Sequence, residues 1–232
     1  MGQVSLIKRL LQWVSKGVPP GNKVLVEADR GIGNSPELLR AIQDMGWYFL
    51  VRVSSQVRLV VEEGSQIPFG SLISQAGERW HGRVYAFKKA GWMRCWAIGQ
   101  WDQGHKEPWL LLTNFPGAQG KWYGLRMWEE SAFKDFKSNG WQWQRSRVRD
   151  PEHANRLWLV MALAYVWVIS MGTQVAGSPT LRVELTRGKG TRRSVFQLGL
   201  RFLERWMALG RRLIYHLILV PHTPIFQKSV VQ

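Results

Sequence analysis

The sequence predicts a mixed α/β fold with helices added toward its C-terminal end. Three observations carry that reading. Helix-like and strand-like periods alternate over residues 1–53. Short alternating runs separated by turn residues fill residues 54–118. Helical spacing returns at about residue 122 and, with one break, persists to about 216.

Taken in order, residues 3–16 read as an amphipathic helix, with Ile7, Leu10, Leu11 and Val14 at helical spacing. Gly17 and Pro19-Pro20-Gly21 end it. Residues 23–29 are a short β-rich run and predict a buried strand. Asn34-Ser35-Pro36-Glu37 opens the next helix, with Ser35 as N-cap and Pro36 in the first turn. That helix reaches Met45 and stops at Gly46. Trp47–Val53 is a second strand, so the unit is β-α-β and its two strands are expected to be parallel.

Residues 54–118 carry Arg83-Val-Tyr-Ala-Phe87, Arg94-Cys-Trp-Ala-Ile98 and Trp109-Leu-Leu-Leu112 between turn residues, which predicts an antiparallel β-insertion. Helices follow at about 122–138 and 152–171. The stretch 172–193, with Arg182, Arg187, Lys189, Arg192 and Arg193, reads as a basic linker. A last helix is expected over about 194–216. One stripe of it holds Phe202, Trp206, Leu209 and Leu213; another holds Arg201, Arg205 and Arg212. The resulting organisation is a core at 1–53, the insertion at 54–118, core helices at 119–171, and a basic linker with a terminal helix at 172–232.

Composition narrows the partner. The chain has 232 residues, with 32 Lys and Arg against 16 Asp and Glu, a net charge of +16. A surplus of that size points to a polyanion, either nucleic acid or an anionic membrane surface. The 14 tryptophans can fill core or stack on exposed bases. Cys95 is the single cysteine, so no intrachain disulfide forms, in keeping with a reducing cytoplasm. The five histidines show no zinc-ligand spacing. The apolar run 157–169 is shorter than the roughly 20 residues a membrane span needs, so a buried helix and no membrane partner are expected. Gly117-Ala-Gln-Gly-Lys121 and Gly31-Ile-Gly33 are look-alikes of phosphate loops and read as turns.

The most informative residues are Tyr123, Arg126, Glu130 and Lys137. At about 100° per residue, Tyr123 lies near +20°, Arg126 near −40° and Lys137 near −20° from Glu130 on a helical wheel. Leu125, Trp128, Ala132 and Phe136 fall on the far side and make the expected core face, and Ser138-Asn139-Gly140 ends the helix. One stripe therefore offers a carboxylate beside a phenol, a guanidinium and an ammonium. Such a set suits a metal ion next to a phosphate chain. A solvated polar stripe, with Glu130 paired to Lys134, is the plainer alternative.

The spacing Tyr123-x2-Arg126-x3-Glu130-x6-Lys137 resembles the Tyr-Arg-Glu-Lys signature of DDE transposases from bacterial insertion sequences. Lys23-Val-Leu-Val-Glu-Ala-Asp-Arg-Gly-Ile-Gly33 is similar to the strand that ends in the second catalytic Asp of that family. Glu107–Asn114 resembles the strand before the signature helix, and Asn155–Tyr165 the helix after it. The resemblance covers residues 1–170. It implies a ribonuclease-H-like fold in which Asp29 and Glu130 are catalytic metal ligands for Mg²⁺ or Mn²⁺, and in which Tyr123, Arg126 and Lys137 contact DNA phosphates. Two-metal strand cleavage and transfer would follow in a complete enzyme. A turn-forming Asp at a strand end is the competing reading of Asp29.

The pattern has one gap. The family's first catalytic Asp belongs on an earlier strand, and residues 1–28 hold only Glu27 as an acid. The expectation is an incomplete ribonuclease-H-like fold: a C-terminal portion that binds metal poorly, leaves strand 23–29 at an open edge and is inactive alone. The expected partners are DNA at transposon ends and target, with a homo-oligomer or an intact transposase as a further partner, at the nucleoid in the cytoplasm. A non-catalytic DNA-binding remnant that interferes with an intact transposase is the alternative. A membrane-surface protein using its basic last helix is a third reading.

Overall fold

Helix α1 (Gln3–Ser15) sits on a hydrophobic core through Val4, Ile7 and Leu11. Leu10 and Val14, expected on the same stripe, are exposed, as are Leu6 and Trp13. Helical spacing identifies a stripe but not how far along it the core extends. Strand β1 (Leu25–Ala28) leads through the four-residue helix α2 (Arg30–Gly33) into α3 (Pro36–Asp44) and then β2 (Tyr48–Arg52). Ser35 caps α3 by accepting from the Leu38 N–H at 3.3 Å, Pro36 takes its first turn, and Gly46 follows it at φ 73°. β1 and β2 are parallel, with Ala28 opposite Val51. This half matches the β-α-β unit expected from the sequence.

The computed structural model describes residues 2–61, 64–137, 140–185 and 193–212. Within 54–118 it has β3 (Arg58–Val60), β4 (Gln66–Pro68), β5 (Arg79–Ala86), β6 (Met93–Gln100) and β7 (Trp109–Thr113). These strands are antiparallel to one another, as expected, but they do not form a sheet of their own. β7 pairs with β2, and the whole is one seven-stranded sheet in the order β1-β2-β7-β6-β5-β3-β4. Among the described residues β1 pairs with β2 alone, so it stands at the edge.

The register gives the sheet two faces. Phe49, Val51, Val84, Cys95, Ala97, Leu110 and Leu112 point into the main core with Leu38, Leu39 and Ile42 of α3. Leu50, Ile98 and Leu111 point the other way, into a smaller cluster with Ala118 and Tyr123. Asn114 extends the β2–β7 contact beyond the ladder. Its Oδ1 accepts from the Phe49 N–H at 2.8 Å, and its Nδ2 donates to the Trp47 carbonyl at 3.0 Å.

The chain forms two compact units, Met1–Met127 and Trp128–Gln232. The division falls inside α4 (Arg126–Lys137). The second unit is helical, with α5 (Pro151–Gly177), α6 (Pro179–Leu185) and α7 (Val195–Ala208). Asp150 caps α5, and Ser194 with Gln197 forms a capping box on α7. α5 and α7 approach so closely that a side chain on Gly199 would meet the Val168 carbonyl, and one on Gly172 the Val195 carbonyl. Around this contact Met171, Val175, Phe196 and Phe202 are buried.

Several expectations for this half are corrected. The basic stretch 172–193 is not a linker throughout: α5 continues to Gly177 and α6 carries Arg182. Arg187, Lys189 and Arg192 lie outside the described residues, as do Ser138, Asn139 and Leu213. Leu209 is exposed rather than packed, and Arg205 pairs with Glu184 at 2.6 Å. Leu125, which precedes α4, and Trp128 on α4 are exposed, whereas Phe136 is buried, as expected, beside the unexpected Asp135. α5 is also longer than the run 157–169 suggested. At 27 residues, with mean hydropathy 1.7 over its most apolar window, it is long and apolar enough to cross a membrane. Its C-terminal half is nonetheless buried against α7 through Val168, Met171 and Val175.

Candidate functional site

Asp29 follows β1 directly and serves two sets of donors. Its Oδ1 accepts from the Gly31 and Ile32 N–H groups at 3.0 and 3.3 Å, which caps α2. Its Oδ2 accepts from Nη2 of Arg126 at 3.2 Å. The turn-forming role is therefore present, and it does not exhaust the carboxylate, which offers about four lone-pair directions.

The sequence around Asp29 explains why it stays put. Gly33 lets α2 lie against β2, because a Cβ there would overlap the Arg52 carbonyl and the Val51 side chain. Asn34 ties α2 down on both sides. It donates to the Arg30 carbonyl at 2.8 Å and accepts from the Ser54 N–H at 3.1 Å. The block Asp29-Arg-Gly-Ile-Gly-Asn34 is thus a short rigid platform rather than a simple turn.

Two residues join this site whose part in it sequence reasoning passed over. Arg52 ends β2 next to the position Asp29 takes after β1, and it is well buried for an arginine, with its side chain 18% exposed. Glu107 pairs with Arg52 at 2.8 Å and with Arg30 at 3.3 Å. Arg52 also donates to the Pro108 carbonyl at 3.0 Å. The signal for Arg52 was available: parallel pairing with Ala28 opposite Val51 puts residue 52 beside residue 29. Glu107 had no such signal, because its position depends on β7 pairing with β2.

Tyr123 is placed differently from the helical-wheel expectation. It belongs to a 3-10 turn (Gly120–Leu125) that precedes α4, and it is buried among Leu50, Ile98 and Leu111. Its ring meets Trp109 edge-on at 5.3 Å. Burial pushes its phenol up from the usual value, while the Arg126 and Arg52 guanidiniums oppose that shift. The phenol is therefore a hydrogen-bond donor at neutral pH.

Arg126, Asp29 and Tyr123 thus come together in the first unit. Glu130 and Lys137 lie farther along α4, in the second unit. Glu130 is partly buried, and Lys137 is exposed with its ammonium 6.0 Å from the Phe133 ring.

A hard divalent cation takes six or more oxygen ligands, usually from several carboxylates and waters. Among the described residues no group of three or more His, Cys, Asp or Glu is gathered to hold one. Asp29 alone, with both oxygens already accepting hydrogen bonds, does not make such a cage.

Comparison with known proteins supplies the family. A family model described as a transposase DDE domain matches residues 2–167. That span takes in the seven strands of the described sheet, the Asp29 platform, α4 and α5 as far as Trp167. No curated protein matches the chain. The family's enzymes act on DNA and generally work with a divalent metal. With well over half of its length under the match, this chain belongs to the DDE transposase family.

Proposed function

We propose that the chain is a DNA-binding part of a transposase catalytic domain of the Tyr-Arg-Glu-Lys type, with an incomplete ribonuclease-H-like core. In this reading Asp29 and Glu130 are two of the metal-binding carboxylates of the complete enzyme, with Mg²⁺ or Mn²⁺ as the ion. Arg126, Lys137 and Tyr123 bind the phosphates of transposon-end DNA. The observation that carries the reading is the Arg126–Asp29 ion pair, which joins two sequence blocks 97 residues apart. The signature arginine thereby meets the aspartate that the same resemblance singled out.

The chain's own residues do the binding. Arg126 and Arg52 present guanidiniums beside Asp29, suited to bidentate contact with a phosphate. Tyr123 holds a neutral phenol beneath them. The buried 3-10 turn and the capped α2 keep these groups in place with no ligand bound. The expected activity is binding without strand cleavage. Such a chain would occupy transposon ends or join mixed assemblies with a complete transposase. Its expected place is with DNA at the nucleoid.

The test is duplex DNA binding and cleavage by the purified full chain, with Mg²⁺ or Mn²⁺ present. The expected result is salt-sensitive binding, weakened about tenfold or more in Arg126→Ala, and no nicked product. Metal-dependent nicking abolished by Asp29→Asn would overturn the proposed inactivity. Binding with no salt dependence, or none at all, would overturn the DNA reading.

A further inference from the structure

Strand β1 and its flank are self-complementary about Leu25. The order is Lys23-Val24-Leu25-Val26-Glu27: a valine on each side of the leucine, then a cation at one end and an acid at the other. Among the described residues β1 pairs with β2 alone. The Val24 carbonyl accepts from the Tyr48 N–H at 2.9 Å, so the peptide group of Val24 is turned to β2. Peptide groups alternate along a strand, and those of Lys23, Leu25 and Glu27 are therefore turned to the outer edge. Side chains alternate as well. Val24 and Val26 pack on the main core, and Leu25 on the smaller cluster, with Lys23 and Glu27 on its side of the sheet.

Helix α1 leaves an apolar stripe near this edge. Lys8 reaches Glu37 of α3 at 3.0 Å, which marks the side of α1 that faces α3. Gln43, about 120° around α3 from Glu37, shares a cavity with Arg94 and Cys95 of β6. α1 therefore sits on the flank of α3 away from β6, which is the β1 side. Leu6, Leu10, Trp13 and Val14 lie about 120–160° around α1 from Lys8, so they face away from α3. All four are exposed, at 46–63%.

We propose that this edge joins two copies of the chain. A two-fold axis perpendicular to the sheet at Leu25 sets β1 antiparallel to the β1 of a second copy. Leu25 then stands opposite the partner's Leu25, Val24 opposite the partner's Val26, and Lys23 opposite the partner's Glu27. The outward peptide groups of residues 23, 25 and 27 meet as hydrogen-bonded pairs, which exchange both N–H···O bonds. The valine pairs continue the main core across the seam, and the two α1 stripes close over them. An ion pair holds each end of the seam on the opposite face. Charge complementarity about one central residue is what selects a second copy. A foreign strand would need apolar alternation only, with no acid matched to a base across an axis. The two-fold also closes after two chains, so it occupies the β1 edge without building a fibre.

The test is sedimentation equilibrium of the purified full chain, without DNA, up to about 100 μM. A monomer–dimer equilibrium is expected. Lys23→Glu turns two ion pairs into two like-charge pairs and should weaken the dimer about tenfold, as should Glu27→Lys. The double variant Lys23→Glu/Glu27→Lys should return to within about threefold of the wild type, because the swap restores both pairs. Leu10→Lys, at an exposed position, should also weaken it about tenfold. Mild oxidation supplies the register. In a Cys95→Ala background Leu25→Cys should form an interchain disulfide, since the paired Cα atoms stand about 5.5 Å apart. Val26→Cys should not, because it faces residue 24 of the second copy. If Leu25→Cys fails to fold by circular dichroism, the charge swap decides, as Lys23 is exposed. A chain that stays monomeric, a dimer indifferent to Lys23→Glu, a double variant as weak as the single ones, or oligomers that grow past two would each overturn the proposal. No DNA enters the measurement, so the DNA reading stands or falls separately.

Discussion

The sheet unit and the helical unit distribute charge and apolar surface in opposite ways. In the sheet unit one face is buried under α1 and α3, and the other carries the Asp29 platform at one end and the stacked His81 and Trp96 toward the other. Several of its cations are paired with carboxylates: Arg126 with Asp29, and Arg30 and Arg52 with Glu107. In the helical unit the tight contact is between α5 and α7, where glycines allow backbone to approach backbone. Large apolar side chains on the rest of α5, Leu159, Val160 and Leu163, remain exposed at 62–67%. The sheet unit thus spreads its stability over many strand pairs. The helical unit concentrates it in one glycine-lined seam, and should break more abruptly when that seam is touched.

The sharpest way to expose that contrast is Gly199→Leu. A side chain there collides with the Val168 backbone, which no rotamer can relieve, so a loss of about 3 kcal/mol or more is expected. Thermal unfolding followed by helical circular dichroism checks it. A melting temperature near that of the wild type would mean that the seam is looser than described. The matching change in the sheet unit, Gly33→Ala, meets the Arg52 carbonyl and should cost about 1–3 kcal/mol. It should also weaken DNA binding, because Asp29 and Arg52 flank the disturbed contact. Wild-type affinity in a destabilised Gly33→Ala chain would uncouple the platform from the site.

A smaller effect separates the units by pH. Burial raises the carboxyl of Asp135 above its ordinary value of 3.8, with the Tyr165 hydroxyl, 3.3 Å away, opposing the shift. A raised carboxyl binds its proton more tightly in the folded chain. Its contribution is full below about pH 3.8 and is lost as pH rises through the folded value. Asp135→Asn should remove that slope and raise the melting temperature at pH 7 by a few degrees. An unchanged temperature would mean that the ionised carboxylate is better solvated than its burial implies. The smallest signal comes from Cys95, whose thiol burial pushes up to about 12. At pH 8 it should resist alkylation until the sheet unit opens, with reactivity rising in step with Gly33→Ala destabilisation.

Local rules made the β-α-β half legible. Ser35-Pro36 and Gly46 bracket α3, and two short apolar runs on either side become parallel strands. The ordered motif blocks pointed to Asp29 and Arg126 before any geometry was known. What escaped were features decided at a distance. No period in 54–118 shows that β7 will pair with β2, so the expected insertion turned out to extend the core sheet. Glu107 was invisible for the same reason. Tyr123 was misplaced because the helical wheel assumes 100° per residue, whereas the 3-10 turn that contains it advances about 120°. Leu125 and Trp128 show the limit of amphipathic reasoning. Spacing identifies a stripe, but only a packed neighbour makes it core: of that stripe Phe136 is buried as expected, and Asp135, off the stripe, is buried beside it.

Glu107 carries a consequence of its own. One acid meets two guanidiniums, those of Arg30 at 3.3 Å and Arg52 at 2.8 Å, and so draws them toward one point. Its carboxylate stands between the two guanidiniums, half exposed to solvent. An incoming oxyanion would inherit a ready-made clamp and lose little freedom in closing it. It would first have to evict a tenant of its own sign.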